Sequence, residues 1–247
     1  MRTLSLASLV LVAAYSTSVA QTVPTAVRSP QGLALVAAVQ ASLDDARERQ
    51  ARLPPPRDDA ERIVRLGELD QAPRKVVTTF DWSRIPDEDR DASFRAQAAI
   101  MDTSDHEILA QLMALLPPEG WFLKSRYGPD AAGAAFLIVQ HADAGALHRF
   151  LPKLQELAKS GEVDGQSTAM MFDRVAISEG RPQRYGTQFR CDGGKWRPYP
   201  LEDEAQVDEL RKSAGVPISF EEFRKLFAAQ PPCPQTPRPA PPGMKLD

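Results

Sequence analysis

Residues that commonly mark a reaction are scarce in this chain. Its 247 residues include two cysteines and three histidines, His106, His141 and His148. Neither a His-Glu-x-x-His run nor paired Cys-x-x-Cys spacing occurs, so no zinc site is expected. There is no glycine-rich phosphate loop and no Gly-x-Ser-x-Gly elbow, the usual marks of nucleotide binding and of serine hydrolases. No cofactor is implied. Lys and Arg number 30 against 33 Asp and Glu, a formal charge of −3. That leaves no basic excess to hold nucleic acid or an anionic membrane. Beyond the N-terminus no apolar run approaches the roughly 20 residues of a membrane-spanning helix.

What is present begins at residues 1–20. Arg2 supplies a positive start, Leu4 to Ala14 a short apolar run, and Ser18-Val19-Ala20 a small-x-small cleavage site, followed by the polar Gln21 and Thr22. This three-part pattern predicts a cleavable secretory signal. The mature chain then begins near Gln21 and works in the periplasm or outside the cell. In such a compartment an even cysteine count permits a disulfide. Cys191 and Cys233 would close a loop of about 42 residues, worth roughly 4 kcal/mol in the chain-entropy model; two free thiols are the alternative.

Helical signals dominate the body. Ser29-Pro30 is a helix start, and Val36, Val39, Leu43 and Ala46 recur at helical spacing before Pro54-Pro55-Pro56. Residues 21–57 thus read as an N-terminal helix and a proline-rich linker, and 58–229 as the main domain. A helix over 58–72 places Ile63, Gly67, Asp70 and Arg74 on one face, with Pro73 predicted to interrupt it and 75–80 to be extended. The next helices are expected over 87–101 and, from a Ser104–Glu107 capping box, through Leu115. Pro129 opens a run, Ala131 to Val139, that is apolar all round and belongs in the centre of a fold. Helices follow around Leu147–Leu157, with a kink or restart at Pro152, and over 167–178. The period then changes to two across residues 182–199, a β-hairpin turning at Asp192-Gly193-Gly194. Two short helices close the body, and residues 230–247 form a proline-rich tail. The expected class is mainly α, a single multi-helix domain with one small hairpin near its C-terminal third.

Polar residues in apolar surroundings are the candidate site. Gln140, His141 and Asp143 end the most apolar helix. Asp173 shares a face with Met170 and Ile177, which turns it inward, and Arg174 stands beside it. Gln183, Tyr185 and Thr187 share one hairpin face, with Gln188 on the other. A buried carboxylate without a partner costs several kcal/mol, so Asp173 needs Arg174, His141 or another donor.

These same stretches resemble a bacterial domain-of-unknown-function family. The resemblance rests on Gly120-Trp121, Gln140-His141-Ala142-Asp143, Asp173-Arg174 and Tyr185-Gly186-Thr187-Gln188, with Asp70-Gln71 and Arg74 upstream, and covers roughly residues 60 to 227. Pro73, and Phe122 after Gly120-Trp121, depart from the pattern. The resemblance implies a grouping and no activity.

Two functions suit these residues. One is a binding or interaction module for a small molecule or an envelope protein, with the polar cluster fixing the hairpin against the helices. Gln140, Asp143, Arg174, Gln183, Tyr185, Thr187 and Gln188 would be its binding residues. The other is a cell-envelope hydrolase. His141 would serve as general acid or base, since imidazole titrates near neutrality. Asp173 or Asp143 would orient it. A Cys191–His141 nucleophile pair is disfavoured, because exported thiols tend to be oxidised. Trp82, Trp121 and Trp196 suit core packing better than sugar stacking.

Overall fold

The computed structural model describes residues 26–230 and Cys233. The signal-peptide reading of residues 1–20 lies outside them, as does the proline-rich tail apart from Gln230 and Cys233. The regular structure of the described residues is eight α-helices, one short 3-10 turn at Trp82–Arg84 and one two-stranded antiparallel sheet, so the fold is mainly α with one small hairpin.

α1 (Pro30–Ala51) starts at Ser29, whose hydroxyl accepts from the Gly32 amide. Its buried stripe of Leu35, Val39, Leu43 and Ala46 lies against α2 (Asp59–Thr79) and α3 (Asp87–Ala114). The carboxylate of Asp89 in α3 holds this start in place, accepting from the amides of Arg28 and Ser29 and from the Ser29 hydroxyl.

Both α2 and α3 run through signals that predict breaks. α2 continues past Pro73 to Thr79, and the extended piece expected at 75–80 is helical up to its last residue. Proline removes a main-chain donor and crowds the preceding turn. Here that turn gains side-chain donors instead. Arg74 Nη1 reaches the Asp70 carbonyl at 2.6 Å, and Ser42 Oγ the Ala72 carbonyl at 2.9 Å. Val76 and Val77 pack against the cluster of Leu35, Val39, Trp82 and Ile85, so tertiary packing overrides their preference for strands. α3 is one helix, and the Ser104–Glu107 capping box is not formed. Ser104 and Asp105 are buried mid-helix, Asp105 paired with Arg74 of α2.

α4 (Lys124–His141) has a first turn, a kink at Gly128 with φ +81°, and then the apolar helix that begins at Pro129. It packs against α2 and α3 in the centre of the molecule. α5 (Ala144–Ala158) passes Pro152 without the expected restart, and α6 (Gly165–Ser178) pairs with it. Ile63, Leu112, Trp121, Phe122, Ile138 and Leu154 form the fully buried heart of this core. Trp82 and Trp121 are buried, and Trp196 packs edge-on against Phe227. Among the described residues no helix is long and apolar enough to cross a membrane.

The α2–α4 crossing is unusually close. A Cβ added at Gly67 would lie 2.6 Å from the Ala134 Cβ, so only glycine lets these helices approach. Gly67→Ala is expected to push α2 off α4 and cost about 1–3 kcal/mol, read as a lowered urea midpoint. An unchanged midpoint would mean that the crossing is looser than described.

The hairpin is shorter than residues 182–199. β1 (Phe189–Asp192) and β2 (Lys195–Pro198) pair across the Gly193-Gly194 turn, with Cys191 opposite Trp196. Residues 184–187 form no ladder, because the amides of Arg184, Tyr185 and Thr187 turn to Asp173 instead. α7 (Val207–Ser213) and α8 (Phe220–Ala228) follow. α8 starts at the Ser219–Glu222 capping box and lays Phe223 and Phe227 against Phe189. Cys191 and Cys233 are bonded, with Cα atoms 5.7 Å apart.

Candidate functional site

The residues singled out in the sequence fall into two separate clusters. His141 belongs to one and Asp173 to the other.

Asp173 points inward from α6 and is fully buried. Its carboxylate accepts from the main-chain amides of Arg184, Tyr185 and Thr187 and from the Thr187 hydroxyl, at 2.8–3.2 Å. Neither Arg174 nor His141 supplies these bonds. Burial pushes the Asp173 carboxyl up from its ordinary value, and the ring of donors pulls it down. The loop can wrap this way because residue 186 is glycine. Its φ is +66°, and a Cβ there would meet the Phe220 ring at 2.5 Å.

Gln183 and Gln188 lock the base of the same loop. Gln183 Nε2 donates to the carbonyls of Gln188 and Tyr199, and its Oε1 accepts from the Gln188 amide. Gln188 Nε2 donates to the Met170 carbonyl and to Thr187 Oγ1. The Tyr185 ring packs edge-on against Phe172, and its carbonyl accepts from Arg211. Gln183, Thr187 and Arg211 are buried, so this cluster is a clamp between α6, the hairpin and α7.

His141 sits at the last residue of α4, and Ala142 is already extended. Its Nδ1 lies 3.0 Å from both oxygens of Asp70, which is buried in α2. The carboxylate that orients His141 is therefore Asp70, and neither Asp173 nor Asp143 takes that part. A carboxylate oxygen accepts, so Nδ1 donates and the neutral ring keeps Nε2 as an acceptor. Asp70 also accepts from Gln71 Nε2 at 2.7 Å and pairs with Arg74 Nη1 at 3.1 Å. Arg74 Nη2 in turn reaches Asp105 at 2.5 Å. The result is a continuous chain His141–Asp70–Arg74–Asp105 joining α4, α2 and α3. Burial alone would raise the Asp70 carboxyl. Its bond to His141, with Arg74 and Gln71, holds it below the ordinary value. Burial pushes the Asp105 carboxyl up, against the pull of Arg74.

A cavity of about 260 Å³ opens beside this chain, lined by Asp102, Asp105, His106 and Leu109 of α3 and by His141, Ala142 and Asp143. Asp105 Oδ1 is buried and has no hydrogen-bond partner. Asp143 lines the cavity while capping α5, Oδ1 accepting from the Ala146 amide at 2.9 Å. Gln140 is buried and does not line it. Its carbonyl accepts from Arg174 Nη1 at 2.9 Å, which braces α6 against the end of α4. His148 lies 3.5 Å from Glu179 and takes no part. Among the described residues no group of three His, Cys, Asp or Glu side chains is placed to hold a metal ion.

Asp105, Asp102, His106 and Leu109 are absent from the sequence-based site. Asp105 was the most legible, since it lies three and seven residues from the buried Ile108 and Leu112, but the expected capping box put it at a helix start.

A profile of the family of unknown function DUF6624 matches residues 57–230, most of the chain and both clusters. The chain belongs to DUF6624. α1 precedes the matched DUF6624 region and packs onto it. No curated protein and no solved structure matches the chain.

Proposed function

We propose that this DUF6624 domain is an exported binding module whose ligand enters the cavity between α3 and the end of α4. The observation that carries the reading is the His141–Asp70 pair at the cavity wall. A buried carboxylate fixes the ring, which presents its remaining nitrogen where a ligand can reach it. The cavity volume is at the small end of ligand sites, which suits a small molecule or one side chain of an envelope protein. Export is supported by the three-part N-terminal pattern and by the bonded Cys191–Cys233 pair, since disulfides persist in oxidising compartments.

A second reading, an envelope hydrolase, is favoured by the same Asp–His pair, in which His141 would activate water as a general base. The lining residues carry no hydroxyl or thiol nucleophile and no cationic side chain to hold an oxyanion, so binding is the better supported of the two.

A fragment screen mapped by amide shifts separates them from a purely structural pair. Hits are expected to move Leu109, His141 and Ala142, and His141→Ala is expected to lose them while its unfolding transition stays cooperative. Hits that gather elsewhere, or survive in His141→Ala, would refute the binding site. Turnover of a hit by the wild type, lost in His141→Ala, would favour the hydrolase.

A further inference from the structure

Every polar side chain that lines the cavity is placed to accept hydrogen bonds. Asp102, Asp105 and Asp143 contribute carboxylates. His141 spends its Nδ1 proton on Asp70. His106 Nδ1 lies 2.6 Å from the Asp102 carbonyl, and a carbonyl can only accept, so this ring also keeps a bare Nε2 in its neutral form. No Lys or Arg lines the cavity. Arg74 stands behind the wall, and both its ion pairs are with carboxylates of this cluster, Asp70 and Asp105. Three carboxylates thus line the cavity with no cationic side chain among them, and the guanidinium behind the wall pairs with only one of the three, Asp105.

One atom of this set is conspicuously unfinished. Asp105 has a side chain only 9% exposed, and its Oδ2 is held by Arg74. Its Oδ1 is buried with no hydrogen-bond partner, in a residue that forms part of the cavity wall. A buried carboxylate oxygen left without a donor is costly, and a donor arriving with a ligand would relieve that cost.

We infer that the cavity is built for a cationic hydrogen-bond donor, a primary ammonium or a guanidinium, seated between Asp105 and His141 with Asp102 and Asp143 at the rim. This rests on the binding reading above and adds the chemistry of the ligand. Such a group supplies donors to Asp105 and to the His141 ring at once and meets carboxylates on either side. An anion would meet the same carboxylates with no donor in return. The cation could belong to a free amine or to a lysine or arginine side chain of a protein.

The test uses matched probes on the intact chain: n-butylammonium, n-butanol and n-butyrate, each followed by amide and imidazole shifts. Butylammonium is expected to bind at least about tenfold more tightly than butanol, butyrate to leave the cavity unmoved, and added salt to weaken the ammonium. Asp105→Asn keeps the shape and removes the charge, and is expected to weaken butylammonium about tenfold. Should that variant unfold, Asp102→Asn serves, because its side chain is exposed; a twofold to threefold loss is expected, on the order of a rim charge. Blocked lysine, acetylated and amidated at its ends, distinguishes the sources. Tighter binding than butylammonium points to a protein side chain, and weaker binding to a free amine. Butanol or butyrate matching butylammonium would overturn the charge assignment and leave the binding site standing. If no probe and no screened fragment moves the cavity, both are wrong.

Discussion

Asp173→Ala is expected to cost about 3–5 kcal/mol of folding stability, the scale for removing one partner from a buried charged network. Four donors lose their acceptor together: three main-chain amides in one loop and the Thr187 hydroxyl. The loop that collapses carries Tyr185, whose carbonyl holds Arg211, so α7 should loosen as well. Asp173→Asn keeps one acceptor oxygen but aims an amide donor at other donors, and is expected to fall between wild type and Asp173→Ala. Urea unfolding measures both. A loss below about 1 kcal/mol for Asp173→Ala would mean that the loop has another anchor. Loss of function in this variant would report unfolding and not a missing catalyst.

Asp70→Ala is expected to cost about 2–4 kcal/mol and to release the His141 ring, two effects that belong together. Arg74 keeps Asp105 but loses its other carboxylate, in a place where its side chain is 16% exposed. His141 loses the acceptor for Nδ1. Asp70→Asn retains the shape and should cost less while still weakening the orientation of the ring. Acid dependence gives a further check. The Asp70 carboxyl lies below its ordinary value in the folded chain, so its contribution is present above the unfolded value and is lost as pH falls past about 4. Asp105 has the opposite sign, its carboxyl raised, and so favours the folded chain on acidification. Asp70→Asn should therefore flatten the acid loss of stability, and an acid limb as steep as wild type would remove Asp70 from it.

The helical class, the hairpin turn and the caps at Ser29 and Ser219 could be read from local signals, because each depends on a few adjacent residues. Pro73 and the Ser104–Glu107 pattern misled, because packing against neighbouring helices outweighed them, and Pro152 starts no new helix. The Asp70–His141 contact spans 71 residues and was invisible to any local pattern. Its trace was an acid on the same face as Ile63 and Gly67, which must find a partner. Of the residues singled out as candidates, Asp143 is exposed and the others, His141 and Asp173 among them, are buried or half-buried polar groups. Grouping them failed because sequence shows that a carboxylate needs a donor and does not show which one. Asp173 found main-chain amides nearby, and His141 found a different acid.

In the proposed site His141, held by Asp70, is the working face of the ligand cavity. The long-range ¹H–¹⁵N spectrum of the imidazole rings tests it most directly, recorded free and with butylammonium. In its neutral form His141 is expected to carry the proton on Nδ1, with the bare Nε2 resonances of His141 and His106 moving on addition of the amine and those of His148, outside the cavity, unchanged. A His141 protonated on Nε2 in its neutral form, or a His141 resonance no more responsive than that of His148 to the amine and to every screened fragment, would contradict it.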